Sequence, residues 1–428
     1  MSLWALRLPH TWFADHSECP WPACAEWKRT GRIISGVHLP RPPSDEVAAH
    51  DWASGGAAWL TGHRAGPPLR PPGHAASWAR WMTEHLARAG GIELDGPALL
   101  GERAALTGAW RQGRRSVGGS CRLLRTRDGW AAVSNARPDD PLLLAAMIGI
   151  DRGDDLDGAV ARWVRAHDGA ELDERAALLS VAAASCGARA REVPVPGHAR
   201  PVQDLLVVDF SALWAGPLCA HLLGLAGARV VKVETPSRPD GARFGNRAFY
   251  DLLHQGHASV VLDPDDPAQR RALHALVRRA DIVIEASRPR ALAGFGLDAG
   301  EFVAGGGTWV SITAWGRDAD RIGFGDDVAA ASGLVAIDVE GLPVFCGDAI
   351  ADPLTGMTAA ALVMSEPSGV LWDMPMAGVV GATTPAPDFG VPSEVLPDAA
   401  APTARRPVAA APAMGADTDR VLRQLGVP

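Results

Sequence analysis

The stretch GDAIADPLTGMTAA, residues 347–360, sets Asp348 and Asp352 four residues apart where a run of small and apolar residues reads as the start of a helix. Carboxylates in that position accept backbone N–H bonds and suit the positive end of the helix dipole, so both can be caps. The same placement also suits a nucleophile, and residue type and spacing alone leave the two readings open. The other chemically suggestive stretch is Ser211-Ala212-Leu213-Trp214-Ala215-Gly216-Pro217, between an apolar run and a helical pattern. It is either a ligand loop or a plain strand-to-helix turn with Pro217 at the first helical position.

The elements around these residues follow from hydrophobic period. Buried-type strands DLLVVDFS, RVVKVETP, ASVVLD, DIVIEAS and TWVSITAWG alternate with helical patterns between residues 203 and 320. Such alternation means a parallel sheet with helices on both faces, so the expected fold class is α/β, a Rossmann-like doubly wound sheet. The first turn lacks G-x-G-x-x-G, which argues against NAD or FAD bound in the usual way. Upstream, WARWMTEHLARAG reads as a helix ending on glycines, and CRLLRTRDGWAAVSNA as a hairpin turning at Asp128-Gly129. Helical patterns follow at about 139–148, 156–167 and 172–186. REVPVPGHARPV (191–202) reads as a linker, and the Pro- and Ala-rich 385–412 as an extended strap or flexible segment.

Composition excludes several classes. A net charge of −8 argues against nucleic-acid binding through the overall field. No window holds about 18 uninterrupted apolar residues. The segment after Met1 carries charges and prolines where a signal peptide is apolar. The expectation is a cytoplasmic protein with no membrane span. The six cysteines (19, 24, 121, 186, 219 and 346) make no zinc pattern and read as reduced thiols, so no metal is expected.

The string VVDFSALWAGPLCAHLLGLAGARVVKVETPSRPDGAR resembles the N-terminal signature of the family III CoA-transferases, the CaiB/BaiF family. HASVVLD, ADIVIEASRP, VSITAWG, AAASGL, GDAIADPLTGMTAA and APAMGADTDRVLRQLG follow in the family's order, so the resemblance runs from about 203 to 428. It implies that Asp352 is the nucleophile and leaves Asp348 as a cap or solvated residue. The implied reaction moves CoA from an acyl-CoA to a small carboxylic acid through aspartyl anhydride and aspartyl-CoA thioester intermediates. Acyl-CoA is then a substrate, with no bound cofactor. An aspartate at a helix N-terminus is expected to be ionised at neutral pH, and Gly356 to allow close approach. Racemases of the family add a His ahead of the SG motif, where this chain has Phe324 within Arg321–Asp327, so transfer is preferred over racemisation.

The resemblance also implies CoA contacts at Leu213, Trp214, Ala215, Leu262, Arg238, Arg288 and Arg321. Two positions that are often basic in the family are Thr235 and Gly294 here. Lys232 and Arg243 are further cations nearby. The departures raise an alternative, a catalytically silent homologue that binds acyl-CoA.

The order of parts is unusual. The RT.DGW cue of the family's small domain appears early, at Arg125–Trp130, and DWASGGAAWLTGHRAGPPLRPP (51–72) resembles the segment before the nucleophile, which is thus present twice. Laying Gly66 on Gly341 sets Ser77 opposite Asp352. The expected organisation is a partial copy with a small α+β domain (1–190), a linker (191–202), a Rossmann-like large domain with the nucleophile segment (203–384), and a strap with a terminal helix (385–428). Family members are interlocked homodimers. A fused chain can satisfy part of that pairing internally, which leaves homodimer or monomer open. On this organisation, a fragment lacking 1–190 is expected to fold.

Overall fold

A computed structural model describes residues 42–151, 155–187, 193–286 and 290–427. Its centre is a six-stranded sheet built from β1 (Leu206–Asp209), β2 (Arg229–Glu234), β3 (Ala258–Val261), β4 (Ile282–Glu285), β5 (Thr308–Thr313) and β6 (Leu371–Pro375). The spatial order is β6-β5-β4-β1-β2-β3, and every pairing is parallel. This is the strand order of a Rossmann-like sheet, which reverses direction between β1 and β4. Central strands buried on both faces need apolar residues throughout, and Val207, Val208, Val283 and Ile284 are fully buried. The sixth strand lies in 368–382, beyond the 203–320 range over which the sequence suggested strands. It carries the alternating LWDMP, with Trp372 and Met374 inward, a pattern too short to stand out before its neighbours are known.

Six helices position the site: α1 (Asp45–Ser54), α2 (Ala75–Gly90), α3 (Glu102–Thr107), α4 (Ala215–Leu225), α5 (Gly325–Ala331) and α6 (Ala351–Val363). In α6 every residue except Asp352 is buried. Its apolar character all round is that of a central helix rather than an amphipathic one. It packs against α4 on one side and α2 on another. Gly356 serves the first contact, since a Cβ there would stand 2.5 Å from the Ala215 carbonyl oxygen and 3.1 Å from Leu218 Cβ. The close approach at Gly356 is thus helix–helix packing. In the second contact, Trp78 Nε1 donates to Thr358 Oγ1 at 3.0 Å.

The 121–136 hairpin forms as expected, with strands Cys121–Arg125 and Trp130–Ser134. The helical pattern expected over 172–186 instead divides into the helix Gly169–Leu179 and the strand Ala183–Ser185, which becomes the third strand of that sheet. Ser180, left-handed at φ 53°, ends the helix. The Pro/Ala segment is held in place: Glu394–Val395 pairs with Leu69–Arg70, Ala400 N–H donates to the Ala53 carbonyl, and Arg405 grips Glu102 at 2.7 and 2.8 Å. Cys121, Cys219 and Cys346 are buried thiols, while Cys19 and Cys24 lie outside the described residues. Among the described residues no helix is long and apolar enough to cross a membrane.

Candidate active site

Asp352 sits in the first turn of α6. Gly356, one turn on along the same face, touches the start of α4, and Asp352 is linked to the loop that leaves β1 through Arg103, which lies over Trp214 at its end. Its carboxylate lies over Gly325, where a Cβ would stand 2.2 Å from Oδ2. Only glycine fits there, and its N–H donates to Asp352. Burial pushes the Asp352 carboxyl up to about 7; Arg103 opposes this, and Asp326 and Asp348 add to it. The helix N-terminus therefore does not leave Asp352 an ordinary ionised carboxylate. Loss of water and two neighbouring negative charges outweigh the dipole.

Asp348 is neither a cap nor solvated. It is almost fully buried and takes a two-pronged ion pair from Arg103, with Nε 2.9 Å from Oδ2 and Nη2 on Oδ1. The loop between the two aspartates is held at both ends. Gly347 N–H donates to Thr61 Oγ1 at 3.0 Å, and Ala349 N–H to Asp326 Oδ1 at 2.9 Å. Ala349 is left-handed at φ 45°, a conformation an L-residue adopts only under such constraint. Asp326 is pushed up to about 6 by burial and then by Asp348, with Arg103 opposing. Beside it Asp327 accepts from Ser134 Oγ at 2.8 Å and from Phe324 N–H at 3.0 Å, and burial raises it to about 7.

The loop after β1 is shaped by a buried Lys232. Its Nζ donates to the Ser211 carbonyl at 2.6 Å and to Asp240 Oδ2 at 3.0 Å. Burial opposes its charge, yet Asp209 and Asp240 hold its pKa above the ordinary value. Asp240 Oδ1 in turn accepts the N–H of Leu213, which is left-handed at φ 71° and 44% exposed. Lys232 is thus a loop anchor, out of reach of a ligand phosphate. Helix α4 starts at Ala215, so Pro217 stands at its third position rather than its first.

The other sequence-derived positions scatter. Trp214 is buried, edge-on to Phe249 at 5.2 Å, with the Arg103 guanidinium over its ring at 4.6 Å. It therefore joins the Asp348–Asp352 cluster, and Ala215 abuts Gly356. Leu262 is buried in the apolar layer behind β3, donating its N–H to the Glu234 carbonyl. Arg238 is exposed and backbone-paired with Thr235. Arg243 is bound to Glu234 at 2.9 Å and to the Pro412 carbonyl. Arg321 stacks on Trp315 at 4.6 Å and reaches the Ala183 carbonyl at 3.2 Å, tying the three-stranded sheet to the large one. Gly294 faces open space, and Arg288 lies outside the described residues. Sequence reasoning missed Arg103, Thr61 and Asp326. Asp326 had a signal, since the offset that pairs Ser77 with Asp352 pairs Asp51 with Asp326. Arg103 had none.

A Rossmann-like sheet with a desolvated carboxylate at a helix start beside the β1 loop defines the class: an α/β protein with an aspartate-centred site. Residues 202–366 match the family model described as CoA-transferase family III. The succinate–glutarate CoA-transferase of Agrobacterium fabrum is 29% identical over 191 residues, which is 40% of this chain and 48% of that protein. The succinyl-CoA–D-citramalate CoA-transferase of Chloroflexus aurantiacus is 31% identical over 175 residues, 38% of this chain and 44% of that one. Among solved structures, a CaiB/BaiF family protein from Brucella suis shares 26% identity and a TM-score of 0.39, covering 43% of this chain and 55% of that one. The chain spans about half the length of the curated relatives it matches. The likeness to CoA-transferase family III lies in residues 202–366.

Proposed function

We propose that the protein transfers CoA from an acyl-CoA to a small carboxylic acid, with Asp352 as the nucleophile. A carboxylate oxygen of Asp352 attacks the thioester carbonyl, the C–S bond breaks, and CoA leaves as the thiolate, giving an acyl-aspartyl anhydride. The thiolate attacks the aspartyl carbonyl and expels the donor acid, leaving an aspartyl-CoA thioester. The acceptor carboxylate attacks that thioester and again expels the thiolate. Thiolate attack on the acceptor carbonyl then yields the new acyl-CoA and restores Asp352. The observation that carries this reading is the desolvated Asp352 carboxylate, held over Gly325 at the start of α6 inside the segment that matches the family model. Poor hydration favours attack, and the Gly325 N–H and the helix start supply donors for the oxyanions.

Relatives named for succinate, glutarate and D-citramalate make short dicarboxylic acids the first acceptors to try. The experiment is mass spectrometry of the protein mixed with succinyl-CoA. A CoA-sized adduct on the peptide containing Asp352, lost on adding acceptor and lacking in Asp352→Asn, supports transfer. Saturable binding without an adduct would favour the second reading, an acyl-CoA-binding protein that does not turn over. Thr235 and Gly294, at two positions often basic in the family, favour that reading.

A further inference from the structure

Three carboxylates, Asp326, Asp348 and Asp352, converge on one place, and one cation from a distant part of the chain meets them. Arg103 lies in the short helix α3, 245 residues before Asp348. Its two-pronged bond to Asp348 and its stacking on Trp214 connect the nucleophile loop to the loop after β1. The next residue back, Glu102, is gripped by Arg405 of the strap, so α3 is fixed in place from its other side.

Among the described residues, the remaining elements packed on α6 bring no second cation to this end. On α5 the charged groups are Asp326 and Asp327. From α4, His221 contacts Arg405 at 3.1 Å and Cys219 is a buried thiol. From α2, Ser77 and Arg80 are engaged with Asp51, and His85 reaches the Met364 carbonyl beyond the far end of α6. In β6, Asp373 takes the Arg317 N–H.

We propose that Arg103 is the positioning residue of this site: by neutralising Asp348 and tying it to Trp214, it keeps Asp352 in the ionised form that attacks. Three buried carboxylates with no cation cannot all carry charge, and the one lacking its own ion pair takes the proton first. Among the described residues Asp352 accepts the Gly325 N–H and has no ion pair of its own, whereas Asp348 has the guanidinium. Asp326 is committed to the Ala349 N–H. The N-terminal segment, which carries no carboxylate of its own opposite Asp352, thus still contributes to the site through Arg103. The catalytic half of this inference rests on the CoA-transfer reading; the electrostatic half does not.

The test uses the full chain and two readouts. The first is difference infrared spectroscopy of the protonated carboxyl stretch against pH, with Asp352→Asn subtracted to isolate Asp352; it needs no CoA. The second is the pH profile of adduct formation with succinyl-CoA. Arg103→Met is expected to move the Asp352 midpoint up by about one unit or more and to lower the adduct rate about tenfold at pH 7, with recovery well above the new midpoint. Arg103→Lys keeps the charge and is expected to restore most of the midpoint. Arg103→Met/Asp348→Asn removes a positive and a negative charge together and is expected to bring the midpoint back near that of the wild type. It also avoids an orphaned buried carboxylate should Arg103→Met fail to fold. An unchanged midpoint in Arg103→Met, or a double variant as shifted as the single one, overturns the proposal. A shifted midpoint in a protein that never forms an adduct supports the electrostatic role and overturns the CoA-transfer reading instead.

Discussion

His63 Nε2 lies 2.8 Å from Asp338 Oδ2, and these two residues occupy the same place in the two related segments of the chain, 275 residues apart. The same separation relates Gly66 to Gly341, Asp51 to Asp326 and Ser77 to Asp352. When a residue touches its own counterpart, the two segments face each other about a local twofold, as copies do in an isologous dimer. The counterpart helices α2 and α6 accordingly pack on one another. Burial resists the Asp338 charge, but His63 and nearby backbone N–H groups hold its pKa below the ordinary value.

This arrangement argues against an independently stable 191–428 fragment, contrary to the expectation from sequence. Removing 1–190 would strip α2 from α6 and leave Asp348 buried without Arg103. The fragment is expected to aggregate or to show a molten near-ultraviolet spectrum. A cooperative unfolding transition like that of the full chain would contradict this.

Asp352→Asn is expected to abolish adduct formation, because an amide cannot form the anhydride. Asp348→Ala is expected to cost about 2–4 kcal/mol in stability, since it strands a partly buried guanidinium, and to lower the Asp352 midpoint, since it removes a neighbouring negative charge. A stability loss of only about 1 kcal/mol would return Asp348 to the role of a simple cap. Single-turnover rates and urea unfolding measure both.

The pH dependence has opposite signs for rate and stability. On the proposed mechanism the attacking form is the carboxylate, so the adduct rate is expected to rise as pH rises through about 7, where burial and the neighbouring Asp326 and Asp348 place Asp352. The folded pKa stands above that of the unfolded chain, so the folded state binds the extra proton. Stability from this group is present below the unfolded value and is lost as pH rises toward 7. Asp352→Asn removes the loss and is expected to be more stable than wild type above pH 7, by about 2 kcal/mol. Urea titrations at several pH values read it, and a destabilised Asp352→Asn at high pH would count against the raised pKa.

Ser77→Ala tests the asymmetry of the two segments. Ser77 Oγ donates to Asp51 Oδ2 at 2.5 Å, and Arg80 Nη2 reaches the same oxygen at 2.8 Å. The substitution is expected to cost about 1–2 kcal/mol of stability through the lost bond to a buried carboxylate and to leave the adduct rate unchanged. Active-site titration is expected to count one adduct per chain in both proteins. Two per chain would mean that the Ser77 segment is itself reactive.

Strong local signals survived into the structure. Five of the six sheet strands, the α6 start and the Asp128-Gly129 hairpin are legible in sequence, because apolar runs, turn residues and period are local properties. Asp352 is legible too, as a carboxylate in the first turn of a helix whose flanking residues resemble a known family. Charge state and partnership are not. Asp348 and Asp352 look alike in sequence, and only the arrival of Arg103 from α3 makes one an ion-paired anchor and leaves the other without an ion pair of its own and with a raised pKa. Lys232, Arg243 and Arg321 likewise read as free cations, yet folding sets each beside a carboxylate or carbonyl. Which charges meet across hundreds of residues depends on how the helices pack, and electrostatic energy falls off over ångströms, so that decision belongs to the tertiary structure alone.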